Sequence, residues 1–491
     1  MITLSYDRRG TTGFGRGAPR NHAIFRARAT RRTTTIAGQE NAAIKVSGRP
    51  ARSRWGGLSA LDSPPYRQFL YASLAGSLGG WIAGTAQGWL VLDLTGSSAA
   101  LGWTSAAGWL PFLVLLPIAG ILADRVDSRA LIVWTRVVVV ACAVVTALLA
   151  SLGLLAFVHI IVLALIAGCA YAIAGPAMQA TVGSLVRRHE IGAAVGLNSA
   201  QFNLARVIGP PIAGVALAAG GIALAFWANG LAALFSLFGF RRMPVVARRR
   251  DPHGRLLDNL HEGVRWLVER PPLLALVILT GAPALLTLNY AVLLPVFARD
   301  ALGVGPEGLG LLAAGAGIGA FGGALFVSIG HPAGGSGWLM IGSLVIMTLG
   351  VLVFSVSTVF ALSLVALVVV GSAQITYYTT ANALLQTQVP APVLGRVLSL
   401  YALVSQGLIP IGSVAIGLLA DATSPRLALA GAAVACFVVT AVIAWSVPGM
   451  RHLKGRQIDL PTMVPSETSE PIVCQDVSVA EPAFGGMEHI G

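Results

Sequence analysis

Charged residues are scarce in this chain, and a few of them stand where only specific chemistry would hold them. Asp124, Arg125 and Arg129 belong to the string GILADRVDSR, Gly120 to Arg129, set between two long runs with almost no charge. Apolar runs of about 20 residues are long enough to cross a bilayer, so the string is expected to be a tight turn at a membrane face. Asp124 follows the C-terminal end of the second apolar run, where its own helix dipole disfavours a negative charge. It is better placed to face the positive N-terminus of a helix from the other half of the chain. Asp124 therefore reads as a conformational latch.

Arg206 poses a second problem. It lies near the middle of the apolar stretch GLNSAQFNLARVIGPPIAG, Gly196 to Gly214, where a charge costs on the order of 2.5–3.5 kcal/mol on insertion scales. The twenty acids of the chain all lie in tails, loops or span ends, with Asp93 and Asp421 closest to the membrane interior. The expected partners of Arg206 are therefore backbone carbonyls, Asn203 one helical turn away, water, or an anionic ligand. Small residues in this stretch let helices approach closely, and Pro210 removes a backbone donor and is expected to kink the helix.

The elements that must position these residues are apolar helices. Hydrophobic residues make up 55% of the chain and charged ones 11%, against roughly 25% charge in a soluble domain, which argues against a soluble enzyme. Twelve apolar spans are expected near 68–93, 99–122, 130–150, 155–178, 192–218, 222–240, 273–298, 308–330, 337–356, 359–385, 397–420 and 427–447. The domains follow: an Arg-rich tail over 1–65, a six-helix half over 66–242, a linker over 243–272, a second half over 273–449 and a tail over 450–491. The first tail is too rich in Arg and too poor in apolar residues to build a core, so it reads as disordered and cytoplasmic, with an organellar transit peptide as the minor alternative. In the linker, Leu256, Leu257, Leu260, Val264, Leu267 and Val268 recur at helical spacing. They mark an amphipathic helix on the membrane surface that ties the halves together.

The net charge of +13 reads as topology. One side collects Arg125, Arg129, Arg187, Arg188, the linker arginines, Arg396, Arg451, Lys454 and Arg456, whereas the other has only Arg299 and Arg426. Positive loops stay inside, so both termini are expected in the cytoplasm. The basic residues form no face on a folded unit, so no nucleic-acid partner is expected, and the cysteines show no metal-ligand or disulfide spacing.

The turn resembles the loop between the second and third helices of major facilitator transporters: Gly120, Leu122, Ala123, Asp124, Arg125 and Arg129 match, with Asp127 and Ser128 departing from it. Gly196, Gly209, Pro210 and Gly214 fall at positions of that superfamily's antiporter signature, where Ala205 and Ala213 replace two glycines. WLVLDLTGSSAALGW, NLHEGVRWLVERPPL, LLPVFARDALGVGPEGLGLL and QTQVPAPVLGRVLSLY are similar to the enterobactin-exporter-like branch, which includes macrolide efflux proteins. The resemblance implies an all-α membrane fold of twelve transmembrane helices in two six-helix halves, each with nested repeats. It implies that Asp124 helps close the cytoplasmic side while Arg125 and Arg129 brace the turn. It also implies that helices one, four, seven and ten line a central cavity with Gln87, Trp89, Tyr171, Gln179, Asn289, Tyr290, Gln374, Tyr377, Tyr378 and Asn382. Amides and phenols in an apolar wall suit a neutral or weakly acidic amphipathic solute.

The function expected is secondary efflux of a siderophore-like or antibiotic-like metabolite across the cytoplasmic membrane, by a monomer whose partners are its small-molecule substrate and the bilayer. No cofactor is expected, and a proton gradient is one candidate energy source. The arginine that many drug antiporters of the superfamily carry in the fourth helix is missing, which leaves Asp93, Asp124 or another group to carry a coupled proton. An importer, an uncoupled facilitator and a transport-inactive scaffold or sensor are the alternatives.

Overall fold

A computed structural model describes residues 56–243, 256–330 and 336–454. Among the described residues there is no named β-strand, and ten helices are long and apolar enough to cross a membrane. The helices are α1 Pro64–Thr95, α2 Ser98–Arg125, α3 Ser128–Ser151, α4 Phe157–Ser184, α5 Ile191–Arg241, α6 Leu256–Val268, α7 Pro271–Leu285, α8 Tyr290–Val296, α9 Pro306–Gly330, α10 Gly337–Val356, α11 Phe360–Gln388, α12 Ala391–Gly407, α13 Ile409–Ala422, α14 Pro425–Ser446 and α15 Pro448–Arg451. The Arg-rich tail and the end of the chain lie outside the described residues. So do the side chains of Gly120, Asp124 and Arg125 in the turn and of Leu256, Leu257 and Leu260 in the linker.

Local chemistry sets many of the helix ends. Gly96 closes α1 with φ +62°, a left-handed conformation that costs glycine nothing. Ser97 caps α2 by accepting from the Ala100 N–H at 3.2 Å, and Asp127 caps α3 by accepting from the Arg129 N–H at 3.2 Å. Proline begins α1, α7, α9, α14 and α15, where its missing donor is harmless.

Two spans, the seventh and the eleventh, differ from the sequence expectation in shape. The expected fifth and sixth spans, 192–218 and 222–240, are the two arms of α5, which meet at a kink where Gly220 and Gly221 leave helical geometry. The backbone stays helical through Pro210 and Pro211, where a kink was expected, and leaves helical geometry only at Gly220 and Gly221, where glycine permits φ +67° at Gly221. The seventh span is split into α7 and α8, the latter running on into a π-helical turn, Phe297–Ala301. The eleventh is split into α12 and α13 at Leu408.

Glycine governs how closely the helices approach. A Cβ on Gly319 would collide with the Val368 carbonyl, and one on Gly371 with the Ala316 carbonyl, so α9 and α11 pack backbone to backbone. In α6, Leu267 is buried, and Gly263 lies where a Cβ would be 3.0 Å from Leu400 and 3.3 Å from Arg396 on α12. Glu262 pairs with Arg396 beside that contact. Val264 and Val268 remain 47% and 58% exposed, so among the described side chains the helix docks through Gly263 and Leu267 and leaves these two valines outward.

Candidate functional site

The structure brings Arg206 to the contact between the N-terminal and C-terminal bundles. Its Nη2 donates to Gln374 Oε1 of α11 at 3.2 Å, and its guanidinium carbon is 5.6 Å from the centre of the Trp81 ring on α1. Elements of both bundles thus meet at one positive charge, and its hydrogen-bond acceptor is a neutral amide. Tyr290, at the start of α8, is buried, 4% exposed. Asn203, weighed from sequence as a partner, instead donates to the Ser199 carbonyl at 2.9 Å within its own helix. Gln374 was expected in the cavity wall, but not as the acceptor for Arg206.

Small residues make this approach geometrically feasible. A Cβ on Gly209 would lie 2.5 Å from Trp81 Cβ, which ties α5 to α1. On the opposite side, Gly214 lies against the Pro306 carbonyl and Gly310 against the Pro210 carbonyl, each 2.6 Å from where a Cβ would sit. Gly317 approaches the Arg206 carbonyl at 3.1 Å by the same measure, so α5 and α9 run in contact past the site. Gly196 has open space around it and takes no part in this packing.

The other expected cavity residues divide into three groups. Gln179 is exposed, while Gln87, Trp89, Tyr171, Tyr378 and Asn382 are half-buried. Asn382 accepts from Gln386 one turn along, and the Tyr378 hydroxyl donates to the Ser405 carbonyl at 3.2 Å. Asn289, Tyr290 and Tyr377 are corrections, because all three are buried inside the second bundle. Asn289 Nδ2 donates to the Ala284 and Leu285 carbonyls at 3.0 and 3.1 Å, and its Oδ1 accepts from Ser413 Oγ at 2.9 Å. Its amide therefore satisfies carbonyls freed by the split in the seventh span. Gly412 makes room for it, since a Cβ there would collide with the Asn289 amide nitrogen. Tyr377 is fully buried and stacks on Tyr378 with ring centres 4.5 Å apart.

A second cluster, unanticipated from sequence, joins the bundles at one end. Asp421, at the end of α13, accepts from Ser97 Oγ at 2.5 Å, from the Ser98 N–H at 2.7 Å and from the Ala99 N–H at 3.0 Å. A carboxylate of one bundle thus caps the N-terminus of α2 in the other, where the helix dipole favours an anion. Gly417 lets the backbones close beside it, with a Cβ position 2.5 Å from the Ser98 carbonyl. Ser105 Oγ lies 3.0 Å from Ser413 Oγ one step deeper, and Arg299 Nη1 donates to the Leu92 carbonyl at 3.2 Å. The chemistry matches that expected for Asp124, but it operates at the opposite end of α2. Arg129, at the Asp124 end, donates to the Arg241 carbonyl, and Asp93 is exposed at the end of α1.

A third residue escaped sequence reading although its signal was present. Arg136 interrupts the run LIVWTRVVVV and is only 8% exposed. Its guanidinium carbon stands 5.7 Å from the Tyr171 ring centre and 5.4 Å from that of Phe240, so π faces replace an acid. Among the described residues it has no acidic partner, and its Nε has no hydrogen-bond partner. Releasing a mid-span charge recovers on the order of 2.5–3.5 kcal/mol by insertion scales, while two desolvated cation–π contacts return about 2 kcal/mol each. The two nearly cancel. Arg136→Met is therefore expected to hold thermal stability in detergent within about 1 kcal/mol of the parent. A loss of about 3–5 kcal/mol would instead mean that the charge is paired with an acid.

Comparison with known proteins came down to transporters. The family model described as "Transmembrane secretion effector" matches residues 55–472. The enterobactin exporter EntS of Citrobacter koseri is 30% identical over 323 residues, covering 64% of this chain and 71% of its own length. The staphyloferrin A transporter of Staphylococcus aureus is 30% identical over 244 residues, 47% of this chain and 58% of its own. Among solved structures, a bacterial homologue of the human lysosomal transporter Spinster, in an inward-facing and unoccupied conformation, aligns with a TM-score of 0.62 at 15% identity. The alignment covers 81% of this chain and 98% of that one. A peptide transporter POT aligns with a TM-score of 0.65 at 12% identity, over 79% and 95% of the two chains.

Proposed function

We propose that this chain, which belongs to the transmembrane secretion effector family within the major facilitator superfamily and to its enterobactin-exporter-like branch, exports a siderophore-like anionic metabolite across the cytoplasmic membrane. It is a transporter and not an enzyme, and it is a multi-pass protein of the bacterial inner membrane. The observation that carries the substrate reading is the guanidinium of Arg206. It stands between the bundles, hydrogen-bonded to a neutral amide, and so has charge to offer an anion. The two named relatives, one called an enterobactin exporter and the other a staphyloferrin A transporter, support the siderophore class and, in the first case, the direction.

Transport proceeds in this reading by alternating access through twelve crossings. The arginine asymmetry makes the Asp421 end extracellular and the Arg129 end cytoplasmic. In this reading the joining of Asp421 to α2 is the outer clasp that closes the outside, which supports an inward-opening arrangement, and Asp124 is the latch that engages in the opposite state. Export draws on the proton gradient, and Arg206 selects for a negatively charged substrate.

Two measurements test this. Reporter fusions after Arg426 and after Lys454 are expected to report opposite sides of the membrane, with Lys454 inside. The same side for both would overturn the topology. Cells making a catecholate or carboxylate siderophore are expected to retain it when the gene is deleted and to release it when the gene is restored. An uncoupler is expected to block the release. Faster uptake on restoring the gene would make the protein an importer.

A further inference from the structure

We propose that the crevice between the start of α3 and the end of α5 binds the headgroup of an anionic phospholipid, with one acyl chain laid along α3. The crevice is a cavity of about 450 Å³ whose mouth carries Arg129, Arg241 and Asp127 and whose wall carries Val133, Trp134 and Val137. The polar and apolar parts are separated along the helix axis. Positions 133, 134 and 137 fall on one face of α3, one to two turns deeper than the arginines, which is the order of headgroup and chain in a lipid. Trp134 is 70% exposed on a membrane helix, and an indole at that depth is apolar over its ring and polar at its nitrogen.

Charge complementarity identifies the occupant. Asp127 is engaged as the cap of α3, accepting from the Arg129 N–H, and Arg129 is anchored by donating to the Arg241 carbonyl. The mouth therefore keeps a net positive charge and has guanidinium donors to spare, suited to a phosphodiester. Arg241 ends α5 and is exposed. A zwitterionic lipid would bring a cation of its own into this mouth, whereas an anionic one brings a phosphate alone or with neutral hydroxyls. Basic recesses between helices at a membrane face bind such headgroups. The proposal needs only that the chain is embedded in a bilayer and is independent of the direction of transport.

The full-length protein, reconstituted in nanodiscs of phosphatidylcholine, provides the test. Brominated-chain phosphatidylglycerol or brominated-chain phosphatidylcholine is added at equal mole fraction, and the Trp134 signal is taken as the difference between parent and Trp134→Phe. Phosphatidylglycerol is expected to quench that signal with a roughly fivefold preference, in line with one net basic charge near the surface. The preference is expected to shrink as salt is raised, a readout that needs no further variant. Arg129→Gln with Arg241→Gln is expected to abolish it, and Arg129→Lys with Arg241→Lys to retain most of it. Soluble glycerol phosphate at matched concentration is expected not to compete. Equal quenching by the two lipids, a preference that survives the double Gln change, or displacement by soluble glycerol phosphate would overturn the proposal.

Discussion

Arg206→Gln is expected to lose export of an anionic siderophore by on the order of 10- to 100-fold while neutral substrates still pass, because a charge-assisted hydrogen bond contributes about 1.5–3 kcal/mol. The protein level should not change, since Gln374 can still hydrogen-bond to an amide at 206. Arg206→Lys keeps a point charge and loses the planar fork, so appreciable export should remain. Gln374→Glu supplies the complementary test. It places a carboxylate on the guanidinium, neutralises the site from within and should lose anionic substrates as Arg206→Gln does. Equal impairment of every substrate by Lys and Gln would make Arg206 a brace for the packing of Gly209 and Gly317 instead. Full export of anionic substrates by Arg206→Gln would remove it from the mechanism.

Asp421→Asn is expected to open the clasp at the N-terminus of α2. The carboxylate accepts three hydrogen bonds from Ser97, Ser98 and Ala99, and asparagine offers one oxygen with no charge. Two of the three bonds are solvent-exposed, which lowers their contribution, and the expected loss is about 1–2 kcal/mol. If the clasp favours the closed state by that amount, the open population rises roughly 5- to 30-fold. A cysteine placed at Gln87, in a background free of other cysteines, should then react faster by that factor with an impermeant reagent added from the Asp421 side. Ser97→Ala should give a smaller change in the same direction. An unchanged labelling rate in Asp421→Asn would reduce the cluster to a helix cap without a gating role.

Much of the architecture was legible because it is written locally. Apolar length predicts a membrane helix from a few turns of chain, without any knowledge of packing. Ser97, Asp127 and Gly96 announce the ends of their helices for the same reason, since a cap satisfies groups within three or four residues. Arg136 was equally readable as a charge within an apolar run, by the criterion that singled out Arg206. Its partners Tyr171 and Phe240 were not, because they come from helices 35 and 104 residues further along the chain.

What the tertiary structure alone decided are the pairings between distant segments. Asp421 and Ser97 are 324 residues apart, and nothing in either segment specifies that a carboxylate at one helix end will cap another helix. The split seventh span is stabilised by Asn289 only because Gly412 and Ser413 of another helix stand beside it. Sequence offered Asn289 as a cavity wall residue, since an amide in an apolar run looks the same whether it meets solute or a freed carbonyl. The composition of each helix determined that it would enter the membrane. Which charge meets which dipole, and which amide is free to meet a substrate, depends on the close backbone approaches that the glycines permit, and those exist only once both partners are in place.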